Sequence, residues 1–304
     1  MKDIKKHIEV VGLGQACLDY LGTVPFYPAE DGKVELTQLA TECGGPVSTA
    51  IVTLAKLGVR CSFIGSVSDD YIGERIVDNL TQHNIDITQL KVTPGHSSQF
   101  AFIAISPGGA RTIFWHRGTM PPLSRSEVDL SLYPSMKVLH LDGLMVEASI
   151  EAARQARARG VTVVMDAGTM REGTIKLVSL VDILIASETF AEPLVGPDAN
   201  PEHALRVLKS LGPKHVVITL GRKGSVGLNK DSVFHKQPAF PVDAVDTTGA
   251  GDVYHGAYIY SLLKGWAMAQ CMRFAAAAAA LKCRRLGAQP GIPTLREIEQ
   301  IMAS

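Results

Sequence analysis

The string Asp246-Thr247-Thr248-Gly249-Ala250-Gly251-Asp252 runs straight into Val253-Tyr254-His255-Gly256-Ala257-Tyr258, whose pattern is helical. Small residues just before a helix leave backbone N–H groups unscreened, and the helix start adds the positive end of a dipole. The turn is therefore an anion cradle, suited to a phosphoryl group in transfer. A carboxylate directly after the glycines would repel a resting phosphate. Asp252 makes sense there if it takes a proton from a hydroxyl that attacks beside that phosphate. The bland alternative is a helix start in which Asp252 only balances the dipole; that suffices for a bare Gly-Ala-Gly-Asp but not for the whole string.

Away from this string, helical patterns at 48–57, 73–83, 148–159, 201–211, 251–263 and 268–284 alternate with aliphatic or β-branched runs at 8–13, 137–141, 161–165, 183–186 and 215–220. Runs that end in Gly or Asp and lead into helices are the rhythm of a parallel α/β sheet. The alanines from Ala275 to Ala280 predict a tightly packed, buried helix. Residues 19–43 and 96–117 break the rhythm. Within the second region, Gln99 to Ile105 and Arg111 to Trp115 alternate on either side of Pro107-Gly108-Gly109, which reads as an antiparallel hairpin. Both regions are expected to form one small sheet projecting from the main body. Its apolar face must cover something, either a substrate cleft or a second copy of itself. With no internal repeat, low-complexity tract or long linker, residues 1–304 read as a single domain carrying that small sheet as an insertion.

The 304 residues carry 30 Lys+Arg against 30 Asp+Glu, a formal net charge of zero, and 46% are hydrophobic. Such a chain buries a large core but has no global basic field for nucleic acid and no polybasic run for anionic lipid, so neither is expected as a partner. Cys17, Cys43, Cys61, Cys271 and Cys283 are scattered with no C-x-x-C pair. That argues for reduced thiols in a cytoplasmic protein, against a disulfide framework and against structural zinc. The apolar stretch after Met1-Lys2-Asp3-Ile4-Lys5-Lys6 carries Glu9 and stops at Asp19, too short and polar for a signal peptide. Nowhere do enough uncharged apolar residues run together to span a membrane.

Val11-Gly12-Leu13-Gly14 followed by Asp19, Gly44-Gly45 opening a helix, Thr219-Leu220-Gly221 with Gly224, the opening string, and Gly287-Ala288-Gln289-Pro290 succeed one another along the chain. In this order and spacing the chain resembles the ribokinase (PfkB) family of carbohydrate kinases, nearest to its ketohexokinase-like and ribokinase-like branches. The resemblance implies a three-layer α/β/α fold with a mostly parallel central sheet and a small β-sheet lid, which in many members also makes a homodimer contact. It implies transfer of the γ-phosphate of ATP to a hydroxyl of a small sugar, whether ketohexose, pentose or sugar acid. Asp252 matches the catalytic base, and the N–H groups of Gly249, Ala250, Gly251 and Asp252 match the hole for the transferring group. Asp19 matches a carboxylate that accepts hydrogen bonds from the sugar, and Gly44 and Gly45 match a turn that lets the backbone approach it. Thr219, Gly221 and Gly224 match the loop beside ATP, with Arg222 and Lys223 near the phosphates. Arg111 would reach the sugar or a phosphate when the lid closes, with His116 a further donor.

Three features depart from the family pattern or are weakly specified by it. Thr49 stands where many members have an Asn that contacts the sugar; it keeps a hydroxyl but loses the amide. Where members carry Asn-x-x-Glu, the Glu orienting magnesium-bound water, this chain has Ser187-Glu188-Thr189-Phe190. Ser187 then takes the nucleotide-side position, and the magnesium ligand is open between Glu188 and Asp166. Asp246, Thr248, Arg285, Gly287 and Gly291 match positions that supply oxygens, mostly backbone, to a monovalent cation such as potassium. Other readings fare worse or stand beside this one. Gly12-Leu13-Gly14 invites a dinucleotide-binding turn, but Cys17 occupies the place of the third glycine. No G-x-x-x-x-G-K-[ST] is present, which removes P-loop kinases. An adenosine-type nucleoside kinase and a catalytically silent sugar- or nucleotide-binding regulator are the alternatives.

Overall fold

The computed structural model describes residues 7–303; Met1 to Lys6, part of the stretch weighed above as a leader, lie outside them. In chain order the strands are β1 (Val10–Leu13), β2 (Cys17–Thr23), β3 (Gln38–Gly44), β4 (Cys61–Ser68), β5 (Leu90–Thr93), β6 (Phe100–Ile105), β7 (Arg111–His116), β8 (Val138–Leu141), β9 (Thr162–Ala167), β10 (Ile183–Ser187), β11 (His215–Thr219), β12 (Ser225–Leu228) and β13 (Phe234–Gln237). The helices are α1 (Pro46–Lys56), α2 (Tyr71–Gln82), α3 (Val146–Ala158), α4 (Thr174–Val178), α5 (Glu188–Val195), α6 (Pro201–Ser210), α7 (Ala250–Leu263), α8 (Met268–Lys282) and α9 (Leu295–Ala303).

Side chains alternate across a strand, so a strand with helices on both faces must be apolar throughout. In β1, Val10 enters a core shared with α1, α7 and α8, while Val11 and Leu13 enter a second core shared with α3 and α6. The central sheet runs β13-β12-β11-β10-β9-β8-β1-β4-β5. Pairing is parallel from β11 to β5, and β12 and β13 add antiparallel at one edge. The aliphatic runs in the sequence locate β1, β8, β9, β10 and β11. They do not locate β4, whose Cys, Ser and Gly dilute the apolar signal although most of it is buried.

Helix α7 is buried from Val253 to Ser261, so it has no polar face. Gly256 allows this: a Cβ there would stand 2.6 Å from the carbonyl oxygen of Ala50 in α1. The alanine run of α8 packs in the same core, with Ala275, Ala277 and Ala278 fully buried. Among the described residues no helix is long and apolar enough to cross a membrane.

The remaining strands form a separate sheet in the order β3-β2-β6-β7, drawing on both regions that break the α/β rhythm. β6 and β7 pair antiparallel from Phe100↔His116 to Ile105↔Arg111, while β2 runs parallel to β6. Along these ladders Asp19, Ala101 and Trp115 share one row, and Tyr20, Phe102 and Phe114 share the next. Successive rows face opposite sides, so the first looks toward the main body and the second away from it.

Candidate active site

The parallel strands end where the central sheet meets the second sheet, the position at which open α/β sheets take their ligands. A cavity of about 1350 Å³ lies there. Its wall includes Asp19 from β2, Arg111 and Trp115 from β7, Asp142 after β8, Asp166 from β9, Ser187 from β10, Thr219 from β11, and the 249–252 turn.

The turn at the head of α7 is built from inside. The Asp246 carboxylate is wholly buried. Its Oδ1 accepts the Thr248 N–H at 2.8 Å and hydroxyl at 2.7 Å, and its Oδ2 accepts the Gly287 N–H at 2.8 Å. Gly249 caps the helix at φ 74°, in the left-handed region, and a Cβ there would meet the Ala288 Cβ at 2.5 Å. Glycine is needed on both counts. At Gly251 the reason is different: an added Cβ would meet nothing within 4 Å, so this glycine leaves the cavity open. The Ala250 N–H closes onto the Thr247 carbonyl at 3.2 Å. The N–H groups of Gly251 and Asp252 belong to the first turn, where a helix supplies no carbonyl of its own.

Asp252 opens into this cavity. Burial pushes its carboxyl up to about 7, the charge of Asp166 adds to the rise, and His255 and Arg111 pull against it. Asp166 itself is raised by burial, but His255, with Nε2 at 3.3 Å from Oδ1, and His140 outweigh that and hold it below the ordinary carboxylate value. Asp19 lies 5% exposed and accepts the Cys17 thiol at 3.1 Å; burial lifts its carboxyl to about 6, against that hydrogen bond and with help from Asp246. Gly44 makes room for it, since a Cβ there would fall 2.0 Å from Asp19 Oδ2. Gly44 therefore serves the carboxylate from behind rather than the cavity wall, whereas Gly45, at φ 99°, does line the cavity.

Thr219, Gly221 and Gly224 are a hairpin turn and a cavity wall at once. Leu220 N–H meets the Gly224 carbonyl at 2.8 Å to join β11 to antiparallel β12, and all three residues face the cavity together with Arg222. Lys223 is not among the lining residues. Ser187 also lines it, but its hydroxyl caps α5, accepting from Phe190 N–H at 3.1 Å and donating to the Gly168 carbonyl at 2.7 Å. Arg111 Nη1 donates to the Thr247 hydroxyl at 2.7 Å, and that hydroxyl donates to the Gly109 carbonyl at 3.0 Å. The second sheet is thereby tied to the cradle.

Other expected positions fall elsewhere. Thr49 does not line the cavity: the turn of α1 points it into the core, fully buried, with no hydrogen-bond partner for its hydroxyl among the described residues. Glu188 starts α5 on the exposed side, away from the wall. Of the two carboxylates open for magnesium, only Asp166 reaches the cavity, and it does so as an ionised hard oxygen donor of the kind that ion takes. The Arg285 guanidinium is 61% exposed and lies 3.6 Å from Glu297.

Several wall residues escaped the sequence reading. Asp142 accepts the Gln15 N–H at 2.7 Å and the Leu144 N–H at 2.9 Å, and burial nevertheless lifts it to about 7. Its signal was available, an Asp-Gly directly after the run at 137–141. His255 lines the wall too, with His140 buried behind it at 5.6 Å between ring centroids; neither had a signal, because a histidine inside a helix or strand pattern looks like any other core residue. Behind the cradle, Lys282 donates to the Asp246 carbonyl at 2.7 Å.

Residues 7–295 match the family described as pfkB family carbohydrate kinase. Over 304 aligned residues the chain is 31% identical to a ribokinase of Staphylococcus aureus, spanning 96% of this chain and 99% of that protein. It is 28% identical over 323 aligned residues to a 5-dehydro-2-deoxygluconokinase of Clostridium perfringens, spanning 99% and 94%. The solved structure of Arabidopsis thaliana ribokinase complexed with ribose and ATP matches it with a TM-score of 0.84 at 25% identity, over 98% of this chain and 99% of that one. A ribokinase-like fold and a sequence match over nearly the whole chain lead to one conclusion: this protein belongs to the pfkB family of carbohydrate kinases, phosphotransferases with an alcohol group as acceptor.

Proposed function

We propose that the chain transfers the γ-phosphate of ATP to a hydroxyl of a small sugar or sugar acid, with Asp252 as general base and the 249–252 turn as anion hole. The observation that supports this is one cavity lined by Asp252, Asp19 and the Thr219–Gly221–Gly224 hairpin, so that the proposed base, the acceptor-holding carboxylate and the nucleotide-side loop would share a single space. The relatives acting on ribose and on a sugar acid support the acceptor class, and the ATP complex of the Arabidopsis enzyme supports the donor.

Asp19 orients the acceptor by taking hydrogen bonds from its hydroxyls. The attacking hydroxyl gives its proton to Asp252, which becomes the neutral acid. The new O–P bond forms as the bond from the γ-phosphorus to the bridging oxygen breaks and ADP leaves. The N–H groups of Gly251 and Asp252 face the charge that develops on the transferring group. Magnesium, held by the nucleotide phosphates and by Asp166, would neutralise phosphate charge. The second sheet acts as a lid that excludes water, tethered by Arg111 to Thr247. Its outward face pairs two copies of the chain.

A coupled ADP-release assay with ketohexoses, ribose, 2-keto-3-deoxygluconate and adenosine side by side tests the reading. ADP release with one of the sugars supports it. Preference for adenosine moves the chain to the nucleoside kinases, and ligand-induced thermal shifts without ADP release on any acceptor would make it a silent binder.

A further inference from the structure

We propose that Lys282 supplies the cation of the anion cradle from the chain itself, so that this kinase works without a bound monovalent ion. The family resemblance led to the expectation of potassium among Asp246, Thr248, Arg285, Gly287 and Gly291, and the structure does not fit that ion. The Lys282 side chain is fully buried, as is that of Asp246. Its Nζ donates to the Asp246 carbonyl at 2.7 Å and stands 3.6 Å from Asp246 Oδ2. An ammonium and a potassium ion answer the same need of a carbonyl and a carboxylate oxygen for positive charge. Placing both there would set two cations against one buried carboxylate, and a desolvated charge in excess of its partner is costly.

Of the expected backbone oxygens, the Asp246 carbonyl is the one Lys282 takes, and the other positions pack around the same pair. Gly287 commits its N–H to Asp246 Oδ2. Gly291 is pressed against the lysine, since a Cβ there would fall 2.7 Å from the Lys282 carbonyl oxygen, 3.1 Å from its Cε and 3.2 Å from its Cγ. Arg285 sends its backbone N–H to the Lys282 carbonyl at 3.2 Å and its guanidinium outward. Thr248 points its hydroxyl and N–H at Asp246 Oδ1. Lys282 closes α8, and Asp246 begins the turn that ends at Asp252, so this contact joins the helix to the cradle. Lys282 is absent from the cavity wall and touches neither acceptor nor phosphate. It is a positioning residue that holds the turn and its N–H groups in place. Burial lowers the pKa of Lys282, and the charge of Asp246 opposes that fall.

The test compares the purified full chain with Lys282→Ala and Lys282→Met in potassium, sodium or tetramethylammonium chloride at equal ionic strength. It has two readouts: ADP release, which rests on the kinase reading above, and the melting temperature of the unliganded protein, which does not. Wild-type turnover and melting temperature are expected to be the same in all three salts. Lys282→Ala removes the charged end of the side chain and opens a narrow space where it lay, and is expected to lose turnover by roughly 10- to 100-fold, in the range of lost supporting contacts around a charged centre. Potassium then restores part of its turnover and raises its melting temperature, and tetramethylammonium, too large for the space, does neither. Lys282→Met fills the space without charge and shows the loss with no recovery. A lysine that merely packs the core would produce no such cation dependence. Several-fold activation of the wild type by potassium over tetramethylammonium overturns the proposal, as does a Lys282→Ala variant that folds and ignores every cation. Should Lys282→Ala fail to fold, the wild-type salt comparison decides. Should no acceptor be turned over, the kinase reading fails, and the melting temperatures alone judge Lys282.

Discussion

Asp252, the proposed base, lies inside a wall that disfavours its charge. Its carboxyl sits near 7, raised by burial and by Asp166. A base works only when ionised, so kcat/KM is expected to rise with pH through neutrality instead of levelling off near the ordinary carboxylate value of about 4. A pH–rate profile already flat below neutrality would contradict this. Asp252→Asn should fold, bind nucleotide and lose at least about 10²- to 10⁴-fold in turnover, the usual contribution of proton abstraction; near-wild-type turnover would remove Asp252 from the role. Two glycines make a second, paired test. Gly44→Ala drives a methyl to within 2.0 Å of Asp19 Oδ2 and should raise KM for the acceptor by displacing that carboxylate. Gly251→Ala meets nothing within 4 Å and sits in a helix, so it should keep or gain stability while losing turnover, because its methyl takes up cradle space. Steady-state kinetics with thermal melts on both variants separates the two effects. If both behave alike, the distinction drawn between these glycines is wrong.

At the scale of elements, the two faces of the second sheet meet different surroundings. The inward rows hold Asp19, Arg111, Ile113 and Trp115, all on the cavity wall. The outward rows hold Leu39, 61% exposed, and Phe114, 54% exposed, beside the aromatic contacts of Tyr20 with Phe100 and of Phe102 with Phe114. An exposed apolar patch of this kind on a sheet marks an association surface. Phe114→Glu should therefore shift the protein from dimer to monomer in analytical ultracentrifugation, while leaving the unliganded fold intact. A wild type that sediments as a monomer at micromolar concentration would end the dimer proposal. Alternation in 99–105 and 111–115 made the hairpin legible, because a period of two is a local property of a strand. Which face looks inward was not legible, since that depends on the pairing of β2 with β6, strands separated by most of the N-terminal third of the chain. Helix α5 was unread for a related reason: its cap is Ser187, whose hydroxyl looked in the sequence like a nucleotide contact.

For the whole molecule, zero net charge leaves only local features, namely the α7 N-terminus and the Arg111 side chain, to attract the proposed multiply charged nucleotide. The same economy gathers carboxylates in one poorly solvated place. Asp19 at about 6 and Asp142 and Asp252 at about 7 keep protons in the fold that the unfolded chain releases near pH 4. The unfolded state then binds fewer protons than the native one, so these groups make stability fall as pH rises between about 4 and 7. Burial acts the opposite way on His140, which it holds down to about 3, so that group makes stability rise with pH over the same window, and the carboxyl contribution is read as a difference. Relative to wild type, the melting temperature of Asp142→Asn should fall less, or rise more, between pH 4 and 7; parallel pH profiles of the two proteins would contradict the assignment. The sequence by itself determined the family, the α/β rhythm and the glycine turn that leads into α7, because each is written in consecutive residues whose backbone and side chains act on one another directly. Only the tertiary structure decided that Thr49 turns into the core, that Asp142 and His255 join the wall, and that Lys282 meets Asp246. Those partners are far apart along the chain, 36 residues for Lys282 with Asp246 and 127 for Gln15 with Asp142. What brings them together is the packing of helices on both faces of the sheet, which no local pattern records.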